Sequence, residues 1–581
     1  MAPPATPAIA QTSRPLDGLR LEASGPPGPA DGLVAEHLRL LGAEETGRSG
    51  ERTTLVGPEG GGITAHVTWG DLAVDEATAQ AATGIMAVHG RRDGAPRGLA
   101  ADYAATAAGV LTVQGLLAGL LAQARGSRVT STEVSVERAG LLAVSQYLAA
   151  AGAEEAEAAE TAPGGPPFTS ADGVVFELET LDPGAWAAFW RALGAPADAV
   201  RRGWRPFQFR YATACAPFPQ ELHTSAGGHG WERVREAARS SGAEVCALYT
   251  LTERAVEYDG APPWKLTAHE ASYSGSGAPP PRTDAPLDGL TVLEAGRRIQ
   301  APLTAHLLGL LGAEVVRIEP PGGDPLRGMP PTCSGVSARW LALNRGKKAV
   351  EVDIKSAGDR KRLRAMAADA DVFLHNWAPG KAAALGLDHE DLSAGNPALV
   401  YAYTSGWADR LPGAPMGTDF MVQARTGVGE AVRPADEPPV PSLMTLLDVL
   451  GGLLGAEAVL AGLLLRQRTG AGVRVDSSLL GAADVLTAPA RIRAARGLDT
   501  RRPAGFRRPV PTADGWIALP DHAAHPHDVR HLSAAQALER LHESGTAAVP
   551  VVTDLADLLS SGPISRDAHG SPAVPAPWRF A

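Results

Sequence analysis

The chain has 581 residues, enough for several domains, and 44% of them are hydrophobic, as in globular proteins with a large core. Its formal net charge of −11 argues against wholesale nucleic-acid binding. Its three cysteines, Cys215, Cys246 and Cys333, are far apart and match no zinc-site spacing. This predicts a reducing compartment, no disulfide framework and no metal site.

Residues 1–15 lack a charged segment followed by a long apolar segment, so they do not resemble a signal peptide. The longest apolar run, at residues 453–465, is interrupted by Glu457 and is too short to span a bilayer. That run is therefore predicted to be a buried helix. Together these features predict a cytoplasmic protein with no membrane association.

The first predicted elements, a strand and a helix in residues 16–45, occur twice. The sequence LDGLRLEASGPPGPADGLVAEHLRLLGAEE returns at residues 287–324 as LDGLTVLEAGRRIQAPLTAHLLGLLGAEVVRIEPPGGD, an offset of 271 residues (287 minus 16). Solenoid repeats are about 20–50 residues long, so a repeat close to half the chain length indicates a duplicated domain.

After this start the first copy is shortened. Only a short Gly-rich stretch separates it from residues 75–90, which resemble residues 418–433 of the second half. The region equivalent to residues 320–407 is therefore predicted to be missing from the first copy.

The losses at the other end are reciprocal. Residues 168–194 and 230–253 predict a complete α+β unit in the first half, whereas the second half keeps only its edges at residues 511–520 and 537–559. Two linkers are predicted from composition. One, at residues 152–167, is acidic and then Pro/Gly-rich, and the other, at residues 272–286, is Ser/Gly/Pro-rich and joins the halves.

In the second half, strands and helices alternate, which predicts a parallel sheet covered by helices on both faces. The predicted strands are residues 291–296, 314–319, 348–354, 371–376 and 398–406, and the predicted helices include residues 302–312 and 359–370. Ligands in such sheets bind at the carboxyl ends of the strands. The candidate site is therefore expected at residues 296–302, 320–327 and 376–380.

Several sequence blocks in residues 287–480 carry a resemblance to a known family. They are LDGLTVLEAG, LLGAEVVRIEPPGGDPLR, LNRGKKAVEVDIKS, HNWAPG, TSGWADRLPGAP, GTDFMVQARTG, LLDVLGGLLGAEAVLAGLL and RQRTGAGVRVDSSLL. In this order and spacing they resemble the family III CoA-transferases (the CaiB/BaiF family), the group that contains formyl-CoA transferase and alpha-methylacyl-CoA racemase. The first half resembles the same family more weakly.

The resemblance implies an α/β fold with a Rossmann-like parallel-sheet large domain and an α+β small domain, duplicated and fused as an interlocked pseudo-dimer within one monomeric chain. The bland alternative is two independent domains joined by a flexible linker. The predicted boundaries are a degenerate large domain at residues 1–150, its small domain at 160–255, a return segment and linker at 256–286, a CoA-binding large domain at 287–500, and a truncated small domain with its return segment at 505–581.

The family's catalytic carboxylate opens a helix in an Asp-x-x-x-Gly pattern, which here gives Asp448 as the nucleophile. A carboxylate at a helix N-terminus faces unpaired N–H groups, so Asp448 is expected to be ionised, and an ionised carboxylate can attack a thioester. The bland alternative is a helix cap without chemistry. Asp419 matches a second acidic position of the family's active site and is expected to support the reacting groups or, equally, to cap a helix beside Thr418.

The resemblance also implies CoA or acyl-CoA as a substrate, bound by three loops. Near the thioester we expect Arg297, Arg298 and Gln300. The phosphates are expected at Arg327, Asn344, Arg345, Lys347 and Lys348, because guanidinium and ammonium groups bind phosphate oxygens. The pantetheine and adenine are expected at His375, Asn376, Trp377 and Gly380.

The first half departs from the catalytic pattern. Counting back from the shared AGLL block, the position of Asp448 falls on Ala105, and the nearest acid is Asp102. Either the nucleophile is absent or a three-residue insertion has moved it. Glu76 aligns with Asp419. Since the CoA loops are also missing, the first half is interpreted as catalytically inactive.

Three functions follow from the resemblance. The leading one is a CoA-transferase that moves CoA from an acyl-CoA to a carboxylic acid through aspartyl anhydride and aspartyl-CoA thioester intermediates. An acyl-CoA isomerase or racemase is disfavoured, because the racemase branch has a histidine where this chain has Thr418, which cannot shuttle a proton near pH 7. The third is a non-catalytic acyl-CoA-binding protein. The expected partners are acyl-CoA and carboxylate small molecules, with no metal.

Overall fold

The computed structural model describes residues 14–45, 50–58, 61–269, 283, 285–523 and 528–581. The absence of a signal peptide predicted at residues 1–15 and the linker predicted at residues 272–286 lie largely outside the described residues.

The first copy of the large domain is built on a mixed six-stranded sheet. Its elements are β1 (Arg20–Ser24), α1 (Asp31–Leu40), β2 (Glu44–Glu45), β3 (Arg52–Val56), β4 (Gly62–Thr68), α2 (Glu76–Ala82), α3 (Ile85–Gly90), α4 (Tyr103–Ala124), β5 (Ser131–Ser135), α5 (Val136–Ala143) and α6 (Ser145–Ala151), with a 3₁₀ turn at Arg91–Asp93. The strand order is β2-β1-β3-β4-β5, followed by a last strand from the C-terminus of the chain.

The expectation of only a Gly-rich stretch after β2 was wrong. The antiparallel hairpin β3–β4 lies there and extends the sheet beside β1. Buried and more exposed residues alternate along both strands, as expected for strands with one covered face. The hairpin stands where the second copy has its extra strands and loops.

The first small domain follows as a compact α+β unit. Its elements are β6 (Phe168–Thr169), β7 (Val175–Glu179), α7 (Pro183–Ala192), α8 (Ala197–Thr213), α9 (Gln220–Gly227), α10 (Trp231–Ser241), β8 (Glu244–Ala247) and α11 (Leu251–Glu257), and the return strand β9 (Trp264–Ala268) comes next. A separate aromatic core, centred on Trp186, Phe189 and Trp190, holds its helices on the three-stranded sheet.

The second copy of the large domain has the predicted parallel sheet. Its elements are β10 (Thr291–Ala295), α12 (Gln300–Leu310), β11 (Glu314–Glu319), β12 (Thr332–Cys333), β13 (Val336–Ser337), α13 (Ala338–Asn344), β14 (Lys348–Glu351), α14 (Ala357–Ala368), β15 (Val372–His375), α15 (Lys381–Leu385), α16 (His389–Ser393), β16 (Val400–Ser405), α17 (Asp419–Arg425), α18 (Val428–Ala431), α19 (Leu446–Thr469), β17 (Val473–Ser478) and α20 (Leu479–Ala495), with a 3₁₀ turn at Pro325–Gly328. The order β14-β11-β10-β15-β16-β17 is parallel throughout, which confirms the predicted class of fold.

The second small domain is the shorter of the two. It contains β18 (Val510–Pro511), β19 (Trp516–Ala518), α21 (Ala534–Glu543), β20 (Val549–Pro550) and α22 (Leu558–Ser561), with a 3₁₀ turn at Leu555–Asp557. The C-terminal segment then carries β21 (Ser565–Arg566), β22 (Pro572–Ala573) and β23 (Trp578–Phe580).

The two copies exchange their return strands. Strand β9, which follows the first small domain, pairs antiparallel with β17 at the edge of the second sheet. Strand β23, which follows the second small domain, pairs antiparallel with β5 at the edge of the first sheet. Each sheet is therefore completed by the other copy, which confirms the interlocked pseudo-dimer.

The long helices α4 and α19 pack against each other at the centre of this arrangement. Tyr103 donates its hydroxyl hydrogen to the carbonyl of Leu446 at 3.0 Å, and Gln114 donates to the carbonyl of Leu453 at 2.7 Å. Both helices are long and apolar enough to cross a membrane, but 94% of the apolar segment of each is buried inside the protein. Packing in the core accounts for their composition, and α19 is longer than the apolar run that predicted it.

The predicted acidic linker at residues 152–167 is attached to the second copy. The Glu155 carboxylate accepts a hydrogen bond from the backbone of Thr332 at 2.9 Å, and Glu157 forms an ion pair with Arg339 at 2.7 Å. Its acidic residues therefore anchor the path from the first large domain to the first small domain.

A buried polar cluster also joins the copies. The carboxylate of Glu457 on α19 is fully buried and accepts hydrogen bonds from His37 of α1 at 2.9 Å and from the Trp264 indole at 3.0 Å. Burial alone would lower the pKa of His37, but the Glu457 carboxylate raises it above its usual value overall. The cluster is thus a paired charge inside the core.

We expect Glu457→Gln to lower the free energy of unfolding by about 2 kcal/mol at pH 6, because it removes the charge that His37 and Trp264 contact. The histidine's pKa is raised by folding, so its stabilisation is present at low pH and is lost as the pH rises through the folded-state pKa. Thermal unfolding at pH 6 and pH 9 should show the larger loss at pH 6. In a His37→Gln background this pH dependence should vanish, and its persistence there would contradict the assignment.

Candidate active site

A cleft of about 670 Å³ lies between the second large domain and the first small domain. One wall comes from the carboxyl ends of the second sheet, where the chain leaves β10, β15 and β16, together with the start of α19. The other wall comes from the first small domain, from the end of β7, one face of α8 and the start of β8. The two copies of the duplicated chain therefore build one cleft together.

Asp448 projects into this cleft from the first turn of α19. Two glycines that follow it let α19 lie close to α12. A Cβ atom at Gly451 would lie 3.0 Å from the Gln300 side-chain nitrogen, and one at Gly452 would lie 3.0 Å from the Gln300 carbonyl oxygen. The pattern Asp-Val-Leu-Gly-Gly thus sets both the carboxylate and the close helix contact that holds it.

Asp419 holds the start of α19 in place. Its buried carboxylate accepts hydrogen bonds from the backbone N–H groups of Leu447 and Asp448, both at 2.7 Å, and from the Gln423 amide. It therefore caps the helix that carries Asp448, although it stands in the first turn of a different helix, α17. The cap therefore belongs to the helix of the candidate nucleophile. Support of the reacting groups by Asp419 stays a prediction.

The surroundings of Asp448 act against the ionised state that the helix start alone favours. Burial and the neighbouring Asp419 carboxylate raise the pKa of Asp448 to about 8, although the positive charge of Arg298 acts in the opposite direction. Burial also raises the pKa of Asp419, to about 6, and its three hydrogen-bond donors limit the rise. The three donors therefore favour the negative charge on Asp419 over a negative charge on Asp448.

The first small domain contributes a buried ion pair that the sequence did not reveal. Arg210 of α8 contacts Glu179 at the end of β7 at 2.9 Å, and both side chains are 4% exposed. The same Glu179 carboxylate accepts a hydrogen bond from the Thr418 hydroxyl at 2.8 Å, next to Asp419. Sequence reasoning could have noted Arg210 as a charged residue in the aromatic run WRPFQFRY, but its partner depends on the fold.

Seven of the predicted site residues line the cleft: Asp448, Asp419, Arg297, Arg298, Gln300, Asn376 and Trp377. Asn376 fixes the loop after β10, because its amide accepts from the backbone N–H of Arg297 at 2.8 Å and donates to the Arg297 carbonyl at 2.9 Å. The side chains of Arg297 and Arg298 are exposed, and Arg298 has a left-handed backbone with φ of 62°. This loop therefore presents two cations to the cleft.

The other seven do not line it: Arg327, Asn344, Arg345, Lys347, Lys348, His375 and Gly380. Carboxylates already contact three of the basic residues in this group. Arg327 pairs with Glu319 at 2.7 Å, Lys347 with Glu294 at 2.8 Å and Lys348 with Glu314 at 2.8 Å.

The remaining four have structural contacts. Arg345 donates to the carbonyl of Val574 at 3.2 Å, and Asn344 accepts from Lys347 at 2.9 Å. Burial lowers the pKa of His375 to about 3, and its ring contacts the Tyr401 hydroxyl at 2.7 Å. Gly380 has φ of 72° and precedes α15, a backbone conformation that favours glycine.

The first copy contains the same capping arrangement without the nucleophile. Glu76 accepts from the backbone N–H groups of Ala104 and Ala105, both at 2.8 Å, and from the Gln80 amide at 2.8 Å. Each residue lies 343 positions before its counterpart in the second copy (419 minus 76, 448 minus 105). The uniform offset excludes the three-residue insertion, so Ala105 occupies the position of Asp448.

Arg507 lies beside the start of α4 in the first copy. Its side chain is 1% exposed and contacts Asp102 and Asp521, each at 2.5 Å. It also donates to the carbonyl groups of Leu99 and Ala101 at 3.0 and 2.9 Å. Asp102, the acid nearest to the missing nucleophile, is thus a partner of Arg507.

Comparison with known proteins identifies the family of this chain. A family model described as CoA-transferase family III matches residues 67–258 and 287–549. Succinyl-CoA:glutarate CoA-transferase of Mus musculus is 36% identical over 198 residues, which are 34% of this chain and 45% of that protein. Acetyl-CoA:oxalate CoA-transferase of Acetobacter aceti is 35% identical over 203 residues, 34% of this chain and 52% of that protein.

The chain spans about half the length of these curated relatives. A solved structure of a CAIB/BAIF family protein from Brucella suis aligns over 51% of this chain and 93% of its own, with 26% identity and a TM-score of 0.46. The two matched segments of the family model cover most of the chain and fall on both copies of the duplication. The chain therefore belongs to CoA-transferase family III.

Proposed function

We propose that this protein transfers CoA from an acyl-CoA thioester to a free carboxylic acid, with Asp448 as the covalent nucleophile. The observation that carries the proposal is the position of Asp448, on a capped helix start inside a cleft between two copies of the chain. The exposed Arg297 and Arg298 lie at the same cleft, where guanidinium groups attract a carboxylate substrate or a phosphate.

The reaction needs four balanced steps. The ionised Asp448 attacks the acyl carbon, which expels the CoA thiolate and forms a mixed anhydride. The thiolate then attacks the aspartyl carbonyl and releases the donor acid, leaving an aspartyl-CoA thioester. The acceptor carboxylate attacks this thioester, which forms a second anhydride and frees the thiolate again. Attack of the thiolate on the acceptor carbon gives the new acyl-CoA and restores Asp448.

In this scheme the surrounding residues position Asp448 and set its protonation. Asp419 holds the backbone of Asp448, and Glu179 with Arg210 closes the cleft from the first small domain. Arg298 favours the ionised form of Asp448, because its charge lowers the pKa of that carboxyl. Arg297, Gln300, Asn376 and Trp377 remain our proposed CoA contacts. The phosphates would have to displace carboxylate partners before they could bind Arg327, Lys347 or Lys348.

The direct test is to incubate the protein with pairs of acyl-CoA esters and carboxylic acids and to identify the CoA products by mass spectrometry. Glutarate and oxalate, which the relatives' names contain, are the first acceptors to try. Appearance of a new acyl-CoA that depends on both substrates supports the proposal. Inversion of an acyl-CoA without an acceptor, or binding without turnover, would instead identify the isomerase or the binding protein.

We expect kcat/KM to rise with pH along a limb governed by a pKa near 8, because Asp448 must lose its proton before it can attack. Asp419→Asn removes the neighbouring negative charge but keeps an oxygen acceptor for the helix N–H groups. That variant should shift the limb to lower pH, since the ionised form of Asp448 becomes less unfavourable. The control is Asp528→Asn, an exposed carboxylate outside the cleft, which should leave the limb in place. A limb that Asp419→Asn does not move would contradict this account.

We expect one CoA to bind per chain. The first copy has the hairpin β3–β4 where the second copy places its extra strands and loops, and the buried Arg507 lies beside the start of α4, where it pairs with Asp102. Calorimetric titration with CoA should give a stoichiometry close to one, in the wild type and in Asp448→Asn alike. Two equivalent sites per chain would show that the first copy also binds CoA.

A further inference from the structure

A second cavity, of about 600 Å³, lies where the two copies meet, apart from the candidate active-site cleft. We call it the arginine cavity. Its charged lining consists of four arginines and three carboxylates: Arg92, Arg97, Arg433, Arg508, Asp93, Asp436 and Glu437. Arg92 and Arg97 belong to the first copy, and the other two arginines belong to the second.

The positive charges in this region outnumber the negative ones. Arg501 lies directly behind the lining, where it donates to the backbone carbonyls of Pro434 and Glu437. Among the residues that the structure describes, no carboxylate pairs with Arg501. The lining itself has four guanidinium groups and three carboxylates, Arg501 adds a positive charge behind it, and the Glu177 carboxylate acts on Arg92 from the first small domain.

Arg433 shows the deficit at single atoms. Its side chain is only 4% exposed, and its Nη1 contacts Asp93 at 2.8 Å and Glu437 at 3.0 Å. Its Nε and Nη2 atoms have no hydrogen-bond partner within the described part of the chain. A buried N–H group without an acceptor is costly, so the protein leaves room here for one that it does not itself supply.

Arg92 is held by long contacts. Its side chain is 11% exposed, its distance to the Asp93 carboxylate is 3.9 Å, and it donates to the carbonyl of Pro441 at 3.4 Å. Burial and the nearby charge of Arg433 lower the pKa of Arg92 to about 10, although the carboxylates of Asp93 and Glu177 act in the opposite direction. Two guanidinium groups thus repel each other in a low-dielectric setting, and an anion between them would relieve the repulsion.

We propose that the arginine cavity binds a small oxyanion, such as a phosphate or a dicarboxylate. Guanidinium groups bind phosphate and carboxylate oxygens through paired N–H donors, and this cavity offers several of them. The unpartnered Nε and Nη2 atoms of Arg433 would supply two of these donors. The site lies beyond the proposed CoA-transfer chemistry and does not depend on it.

A short backbone segment and its hydrogen bonds connect the arginine cavity to Asp419 and Asp448. Val440 lines the cavity, and Pro441 receives the hydrogen bond from Arg92. The backbone N–H of Ser442 donates to the Gln423 side chain at 2.8 Å, and Gln423 donates to Asp419, which caps the helix of Asp448. An anion that holds Arg92 would therefore also hold the segment that leads into α19.

The test is calorimetric titration with inorganic phosphate and, in a second arm, with succinate, each against sodium chloride at equal ionic strength. The titrations are done with and without saturating CoA, so that binding in the active-site cleft is recognised. We expect one phosphate or succinate per chain in both conditions, and the stronger ligand identifies the class of oxyanion. Absence of binding by both anions in the CoA-saturated protein would overturn the proposal.

Variants separate this cavity from general surface charge. Arg97→Gln, whose side chain is 32% exposed, and Arg92→Gln should each weaken binding about tenfold, because each removes one charge-assisted contact. The matched control is Arg201→Gln, an exposed arginine that pairs with Asp198 elsewhere, and it should bind as the wild type does. Equal binding by all three variants would overturn the proposal, and the exposed Arg97 keeps this test valid if Arg92→Gln fails to fold.

Hydrogen exchange gives a second readout. Phosphate or succinate should slow amide exchange in residues 438–447 of the wild type, where the chain runs from the cavity to α19, and should not do so in Arg97→Gln. If the bound anion slows exchange only at the candidate active-site cleft, it has bound there and the arginine cavity is not its site.

Discussion

Replacing Asp448 with asparagine is expected to lower the rate of CoA transfer by at least about 10³-fold while CoA still binds. Asparagine keeps the shape of the side chain and the backbone hydrogen bond to Asp419, but its amide cannot form the anhydride. The rates should be measured with the acyl-CoA and acid pair that the product screen identifies. CoA affinity, measured by calorimetry, should stay within a few-fold of the wild type.

Trapping of the intermediate checks the same assignment independently. Wild-type protein incubated with acyl-CoA and hydroxylamine should carry a hydroxamate at residue 448, because only an activated carboxyl reacts with hydroxylamine. The matched control is Asp102→Asn, which changes the nearest acid of the first copy, a partner of Arg507. This control should keep its activity and its trapping at residue 448. A fully active Asp448→Asn, or trapping at another carboxylate, would remove Asp448 from the proposed role.

Separating the two copies is expected to abolish activity as completely. Residues 286–581 alone lack β9, which completes the second sheet, and lack the wall of the cleft that carries Glu179 and Arg210. They also expose the face of α19 that packs against α4, a large apolar surface. Such a fragment should aggregate or remain inactive.

Co-expression should restore what separation removes. The pieces 1–285 and 286–581, produced together, can exchange β9 and β23 as they do in the intact chain, so activity and a one-to-one complex should both return. The matched control is Arg210→Ala in the first piece, which should assemble but lose activity, because the cleft then lacks its buried ion pair. If residues 286–581 alone were soluble and active, the first copy would have no part in the site.

The class of fold and the duplication could be predicted from the sequence because they depend on local patterns. The blocks at residues 16–45 and 287–324 share a strand, a helix and their turn, and the alternation of strands and helices specified the parallel sheet. The hairpin β3–β4 was missed because the glycine-rich sequence between its two strands obscured their alternation of buried and more exposed residues.

The sequence by itself also placed the candidate nucleophile and its lost counterpart. Counting from a shared block put Ala105 opposite Asp448, and the common offset of 343 residues across the capping arrangement agrees with that count (448 minus 105). Each residue of an α-helix adds the same rise and rotation. Counting residues along a helix without insertions is therefore enough to align the two copies.

Charge states and binding partners were decided only by the tertiary structure. A helix start in isolation favours an ionised Asp448. Burial and the Asp419 carboxylate of a different helix oppose this, because both raise the pKa of Asp448. Lys347 and Arg327 are residue types that commonly bind phosphate. In the folded chain they instead form ion pairs with Glu294 and Glu319. The ion pair of Glu179 with Arg210 and the arginine cavity each bring together residues that are separated in the sequence. Electrostatic energy depends on distance in space and on burial, and a sequence specifies neither until the chain has folded.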